Sequence, residues 1–144
     1  MKSIDEKAIE TFSNWNIAFN SRDVEKQISY MHFPHLRLAN NKFELWEKAN
    51  DFRESHEEMT TKLISENWSS TETISIEPVQ FNEDKVHLAI TQARKNIDGF
   101  KYNVFDTLWI FTIIDGDLKV QFRSSFLKNT IANGVGGIEV FSKL

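Results

Sequence analysis

"FDTLWIFTIIDGDLKVQFRSSF", residues 105–126, decides how this chain folds. Two runs of β-branched and aromatic residues flank "DGD", which predicts a β-hairpin with a tight turn at Gly116. Centring the turn on Gly116 sets Asp106 opposite Phe126, Leu108 opposite Ser124 and Ile110 opposite Phe122. Strand side chains alternate, so Val104, Asp106, Leu108 and Ile110 share one face, and Phe105, Trp109, Phe111 and Ile113 the other. Both sets are apolar, and a one-residue slip would exchange the faces of the partner strand. Alternation alone therefore does not say which set is inside.

Working outward, "TETISIEPVQF" (71–81) and "KVHLAITQARK" (85–95) continue the β-rich pattern, with "NED" and "IDG" as compact turns. Together these runs predict four long strands in an antiparallel meander. Gln92 and Arg94 face the cavity if "NIDGF" forms a three- or five-residue loop, and face away if "DG" is a two-residue turn. Upstream, Ile4, Ala8, Ile9, Phe12, Trp15 and Phe19 recur at helical spacing over 4–20, with Ser3 and Glu6 placed for a capping box. A short helix over 24–31 ends before Pro34. Residues 35–39 and 43–46 alternate around "ANNKF" and predict a small hairpin. Ala49, Phe52, His56, Met59 and Leu63 mark a third helix over 47–63. The stretch "NTIANGVGGIEVF" (129–141) is glycine-rich and reads as irregular.

Helices first and strands afterwards predict an α+β fold. The expectation is one domain over 1–144: three N-terminal helices packed on a strongly curved, mixed or antiparallel sheet, forming a cone with an internal pocket. The chain has 40% hydrophobic residues, twelve Phe and four Trp, enough for a packed core. It has no cysteine, which removes thiol catalysis and thiolate metal sites. The net charge of −4, with both signs interspersed, argues against a nucleic-acid partner. No apolar run approaches the roughly 18 residues of a membrane span. "MKSIDEKAIETF" lacks the apolar core of a signal peptide, so a soluble, cytoplasmic protein is expected. "GVGG" is not set between a strand and a helix, and no cofactor motif is present. His32 and His35 flank Pro34, which forbids the continuous helix that a His-x-x-His metal pair requires, so no metal site is expected.

The stretches "WNIAFNSRDVEKQISYM" and "FDTLWIFTIIDGDLKVQFRSSF", with the spacing between them, resemble the nuclear-transport-factor-2-like superfamily. That superfamily includes SnoaL-like polyketide cyclases, ketosteroid isomerases and scytalone dehydratase. The resemblance implies a cystatin-like cone with a cavity between helices and sheet, and a homodimer formed through the outer sheet face. In the isomerases a tyrosine on the first helix donates into the cavity, a carboxylate on the first strand is the general base, and a protonated aspartate on the third long strand completes the oxyanion hole. The corresponding positions here are Trp15, Ala39 and Asp106. Only Asp106 keeps its chemistry, and an alanine cannot move a proton.

The resemblance turns Asp106's face inward, which makes Asp106 and His35 the candidates for acid/base work. A carboxylate in an apolar strand must be paired, hydrogen-bonded or protonated, and an imidazole titrates near neutrality. Each also has a structural reading, as a side chain bonded to a neighbouring backbone group. Trp15, Phe19, Arg37, Ala39, Phe52, His56, Arg94, Leu108, Phe122, Ser124 and Phe126 are expected to line the pocket. Phe105, Trp109, Phe111 and Arg123 are then left outside, too apolar a strip to stay wet, and are expected to form the dimer surface. The functional expectation is a binder of a small apolar or weakly anionic molecule that needs no cofactor. Two alternatives stay open: a cyclase, dehydratase or isomerase using Asp106 and His35, and an interaction dimer with a vestigial cavity.

Overall fold

The computed structural model describes residues 1–127, so the glycine-rich stretch 129–141 lies outside the described residues. Three helices, α1 (Ile4–Asn20), α2 (Val24–Ser29) and α3 (Ala49–Ser65), accompany six strands: β1 (Met31–Ala39), β2 (Lys42–Trp46), β3 (Trp68–Phe81), β4 (Lys85–Asn96), β5 (Lys101–Ile114) and β6 (Asp117–Ser125). The strands form one mixed sheet in the order β2-β1-β6-β5-β4-β3. Neighbours are antiparallel except β1 and β6, which run parallel. This is the expected α+β architecture, left open rather than closed into a barrel. Among the described residues no helix is long and apolar enough to cross a membrane.

Local chemistry sets the element ends. The Ser3 N–H donates to Glu6 Oε1 at 2.9 Å and closes the start of α1. The helix buries Ala8, Phe12, Trp15, Ala18 and Phe19 as one stripe. Helix α2 stops at Ser29, earlier than its sequence predicts, because Met31 already pairs with Val120 of β6. Pro34 sits inside β1 instead of preceding it. Lacking an N–H it interrupts the ladder, and the β1–β6 register shifts between Met31 and Leu36.

The decisive hairpin has the expected register and the opposite facing. Asp115 (φ 51°) and Gly116 (φ 84°) form a two-residue turn of left-handed backbone, where glycine fits without strain. A bulge between Ile110 and Phe111 then restores the pairing of Ile110 with Phe122 and Leu108 with Ser124. Phe105, Trp109 and Phe111, expected outside, are buried against the helices, whereas Val104 and Asp106 are exposed.

The cause lies one strand away. Val86, Leu88 and Ile90 of β4 are fully buried or nearly so, and they pair with Phe111, Trp109 and Thr107 of β5. The rings also match the stripe of α1: Trp109 meets Phe12 edge-on at 4.7 Å and Trp15 edge-on at 4.9 Å. Each such ring removes roughly 150–250 Å² from water, so the bulkier face of an ambiguous strand goes inward.

This inversion makes a direct prediction for stability. Phe111→Ala should lower the unfolding free energy by about 3–5 kcal/mol. Asp106→Asn, on the open face, should change it by less than about 0.5 kcal/mol. Urea titrations with unchanged m-values would measure both. Equal losses at the two positions would contradict the inward placement of Phe105, Trp109 and Phe111.

Candidate functional site

One rung of the sheet carries the site. Glu44 of β2 stands beside Arg37 of β1, Arg37 beside Arg123 of β6, and Arg123 beside Trp109 of β5. Arg37 Nη1 lies 3.1 Å from Glu44 Oε1. Arg123, only 7% exposed, has no carboxylate at ion-pair distance among the described residues. Its Nε donates to His35 Nε2 at 3.0 Å. Its guanidinium carbon sits 5.3, 5.7 and 5.5 Å from the ring centroids of Trp15, Trp46 and Trp109. Burial, with Arg37 next to it, pulls this guanidinium down to about 9, so it stays charged at neutral pH. Arg123 Nη2 and Trp15 Nε1 are buried without a hydrogen-bond partner among the described residues.

His35 is fully buried behind Arg123. Accepting from a guanidinium requires a bare Nε2, which places the ring proton on Nδ1. Burial first, and the charge of Arg123 second, hold this imidazole well below its ordinary 6.5. It is a neutral acceptor that orients Arg123.

Arg37 and Arg123 form one end of a cleft beneath α1, and Arg94 and Gln92 of β4 form the other. The four-residue connection 97–100 and a bulge between Arg94 and Lys95 turn both β4 side chains inward, on the face opposite Asp106. Arg94 Nη1 lies 3.3 Å from Glu66 Oε1, which also accepts from Tyr102 Oη at 2.5 Å. Burial opposes charge on both partners, raising the Glu66 carboxyl and lowering the Arg94 guanidinium. Gln92 Nε2 donates to Asn16 Oδ1 at 3.1 Å, while Asn16 Nδ2 donates to the Thr71 carbonyl at 3.1 Å. Trp15, Phe19, Phe105 and Trp109 supply the ring walls. The cavity volume is about 50 Å³. A single water needs roughly 10–15 Å³ by that measure, so a few waters or a small organic group fit.

Of the residues named from sequence, Trp15, Phe19, Arg37 and Arg94 line this cleft. Ala39 is buried but borders a separate shallow concavity with Asn40, Asn41 and Ser124. Phe52 is core, edge-on to Trp46 at 5.6 Å. His56 is buried beside it, and its Nε2 donates to Gln27 Oε1 at 3.0 Å. Leu108, Phe122, Ser124 and Phe126 stand on the outer face with Asp106, because the pleat puts them opposite the buried Trp109 and Arg123. The Asp106 carboxylate accepts from Thr91 Oγ1 at 2.8 Å in the open. Asp106 and His35 lie on opposite sides of the sheet and cannot act on one substrate. Phe105, Trp109, Phe111 and Arg123, expected as a dimer surface, face the helices instead.

Sequence reasoning passed over Asn16, Thr71 and Thr107. A usable signal was Asn16 and Asn20, two amides four apart on α1, both bonded to Thr71. His32 is solvated and hydrogen-bonded to the Asp117 carbonyl at 2.8 Å. Among the described residues no group of three or more His, Asp or Glu could hold a metal ion.

No protein-family model matches the chain, and no curated protein matches it. Its fold is nevertheless shared with solved structures. It is similar to a cystatin-like-fold protein of unknown function from Nostoc punctiforme, with a TM-score of 0.69 at 12% identity over 89% of this chain and 94% of that one. It is also similar to an NTF2-like protein from Cytophaga hutchinsonii, with a TM-score of 0.60 at 15% identity over 89% of this chain and 100% of that one. An NTF2-like protein with a cystatin-like fold from Novosphingobium aromaticivorans gives a TM-score of 0.69 at 12% identity, covering 90% of this chain and 86% of its own. At such identities the likeness is one of fold: the NTF2-like, cystatin-like fold.

The buried imidazoles set a pH dependence. His35 is held below 6.5, and His56 is lowered to about 4, chiefly by burial. Both histidines bind protons more readily unfolded than folded, so stability should fall as pH drops below about 6.5. Glu66, raised in the fold, opposes this as pH falls through its raised value towards its ordinary 4.5. Denaturation midpoints at pH 7 and pH 5 should therefore differ, and the difference should shrink in His35→Gln/His56→Gln. An unchanged difference in the double variant would mean that these rings are not the cause.

Proposed function

We propose that the protein binds a small organic molecule in the cleft between α1 and the inner face of the sheet. The observation that carries this reading is the composition of the walls. Four aromatic rings face Arg37, Arg94, Gln92, Asn16 and Thr107 across a space that the core does not fill. Apolar walls with a few convergent polar groups are the usual make-up of a ligand site. Binding is favoured over a cyclase, dehydratase or isomerase reaction for a specific reason. The two side chains suited to proton transfer stand on opposite faces, and Glu44 and Glu66 each engage an arginine.

A thermal-shift and tryptophan-fluorescence screen of small aromatic and aliphatic compounds tests this, since Trp15 and Trp109 would report occupancy. Ser125 is a small residue lining the cleft, so Ser125→Phe should fill the space and abolish binding found with the wild type. Asp106→Ala should leave it unchanged. Binding that survives Ser125→Phe and is lost in Asp106→Ala would move the site to the outer face.

We also propose that the outer face pairs with a second copy of the chain, through a different set of residues from the one expected. Val104 is 43% exposed and Phe126 72% exposed, with Leu108 and Ile110 on the same side, a sizeable apolar strip. Light scattering should give a dimer at micromolar concentration and a monomer for Leu108→Asp. A monomeric wild type would overturn this pairing.

A further inference from the structure

We infer that the ligand is a small carboxylate and that Arg123 is its anchor, a proposal that rests on the cleft being a binding site. The charge balance motivates it. Three guanidiniums, Arg37, Arg94 and Arg123, line the cleft, and two carboxylates pair with them, Glu44 with Arg37 and Glu66 with Arg94. One positive charge is left over, and it sits on Arg123, which is more than nine-tenths buried. The surroundings of Arg123 hold the cation without neutralising it. His35 takes one N–H, three indoles present their rings, and Nη2 is left without a hydrogen-bond partner among the described residues.

A guanidinium is a planar fork of N–H donors that matches a carboxylate's two oxygens, and a buried cation gains most when a counter-charge completes it. Trp15 Nε1 is a second donor in the same wall without a partner among the described residues. The size of the imbalance selects the class. A monoanion closes it, whereas a phosphate dianion would leave an excess of negative charge in a low-dielectric site. The ring walls formed by Trp15, Phe19, Phe105 and Trp109 suit the apolar remainder of such an acid.

Calorimetric titration of the full chain at pH 7 with acetate, butyrate and benzoate, each beside its amide, tests the class. At least one carboxylate should bind tenfold or more tightly than its matching amide. Arg123→Gln should erase that preference. Because that variant alters a buried position, Glu44→Gln provides an independent arm. Glu44 lies at the partly exposed β2 edge, and removing its charge should raise the preference for a carboxylate over its amide several-fold. Trp15→Phe, which removes one N–H and keeps a ring, should weaken the carboxylate more than its amide.

The outcomes separate the two proposals. Amides binding as well as acids would overturn the carboxylate assignment and leave the cleft as a binding site. Inorganic phosphate binding more tightly than every carboxylate would overturn the class. Failure of acids and amides alike would remove both proposals.

Discussion

A buried guanidinium between three indoles is the constraint on which the rest of the structure depends. Taking an isolated charge out of water costs several kcal/mol even after relaxation. Each cation–π contact returns about 0.5–2 kcal/mol of that. Trp15 belongs to α1, Trp46 to β2 and Trp109 to β5, so the box around Arg123 exists only when the helical layer, the edge hairpin and the central strands are assembled together. His35, on a fourth element, supplies the acceptor that fixes the fork. The box thus joins α1, the β1–β2 hairpin and the β5–β6 hairpin, three parts of the fold that are distant in the chain, so it is complete only in the assembled core. Hydrophobic replacements of buried ionic groups are often neutral or stabilising, so stability alone is a weak reason to keep a cation there. What the cation faces is the stronger reason.

The order of elements, the cap of α1 and the register of the last hairpin were all legible in the sequence, because each is a local signal. So was the side of β1: His35, Arg37 and Ala39 are buried and share a face, as alternation requires. The facing of β5 was not legible from β5 itself. Valine, leucine and isoleucine on one side and phenylalanine and tryptophan on the other satisfy the same pattern. The resolving information sat in β4, where Val86, Leu88 and Ile90 alternate with His87, Ala89 and Thr91, and in the connection between the strands. That connection is four residues long with a bulge beside it, a combination that composition does not announce. Placing Asp106 inward by resemblance carried the error across the hairpin, so Leu108, Phe122, Ser124 and Phe126 were expected in the pocket and Arg123 outside, the reverse of where the fold puts them.

The two residues with the most suggestive chemistry show why residue type alone cannot assign a site. Asp106 has the right charge and a solvated position with a hydroxyl partner, as a surface aspartate would. His35 has the right ring, and its one outward-bonding nitrogen is already occupied by a guanidinium. Neither is poised to exchange a proton with a bound molecule. Of the arginines that do face the cleft, Arg37 was expected there, Arg94 only for some turn lengths and Arg123 on the opposite face, because an arginine on a strand that is apolar on both sides cannot be placed until its strand neighbours are known.

Those neighbours also bear on the choice between binding and turnover. General acid/base chemistry needs a group whose proton can leave or arrive near neutral pH, in contact with the substrate. Along the cleft the candidates have been taken up in other ways. Glu44 engages Arg37, Glu66 accepts from both Arg94 and Tyr102, and the imidazole of His35 lies behind the Arg123 side chain. What remains is a net positive charge and two donors without a partner among the described residues, Arg123 Nη2 and Trp15 Nε1. Such a wall suits the acceptor oxygens of the proposed ligand. For the proposed carboxylate, shape and charge would act together, because the aromatic walls of the cleft supply the low dielectric in which a single uncompensated charge counts most.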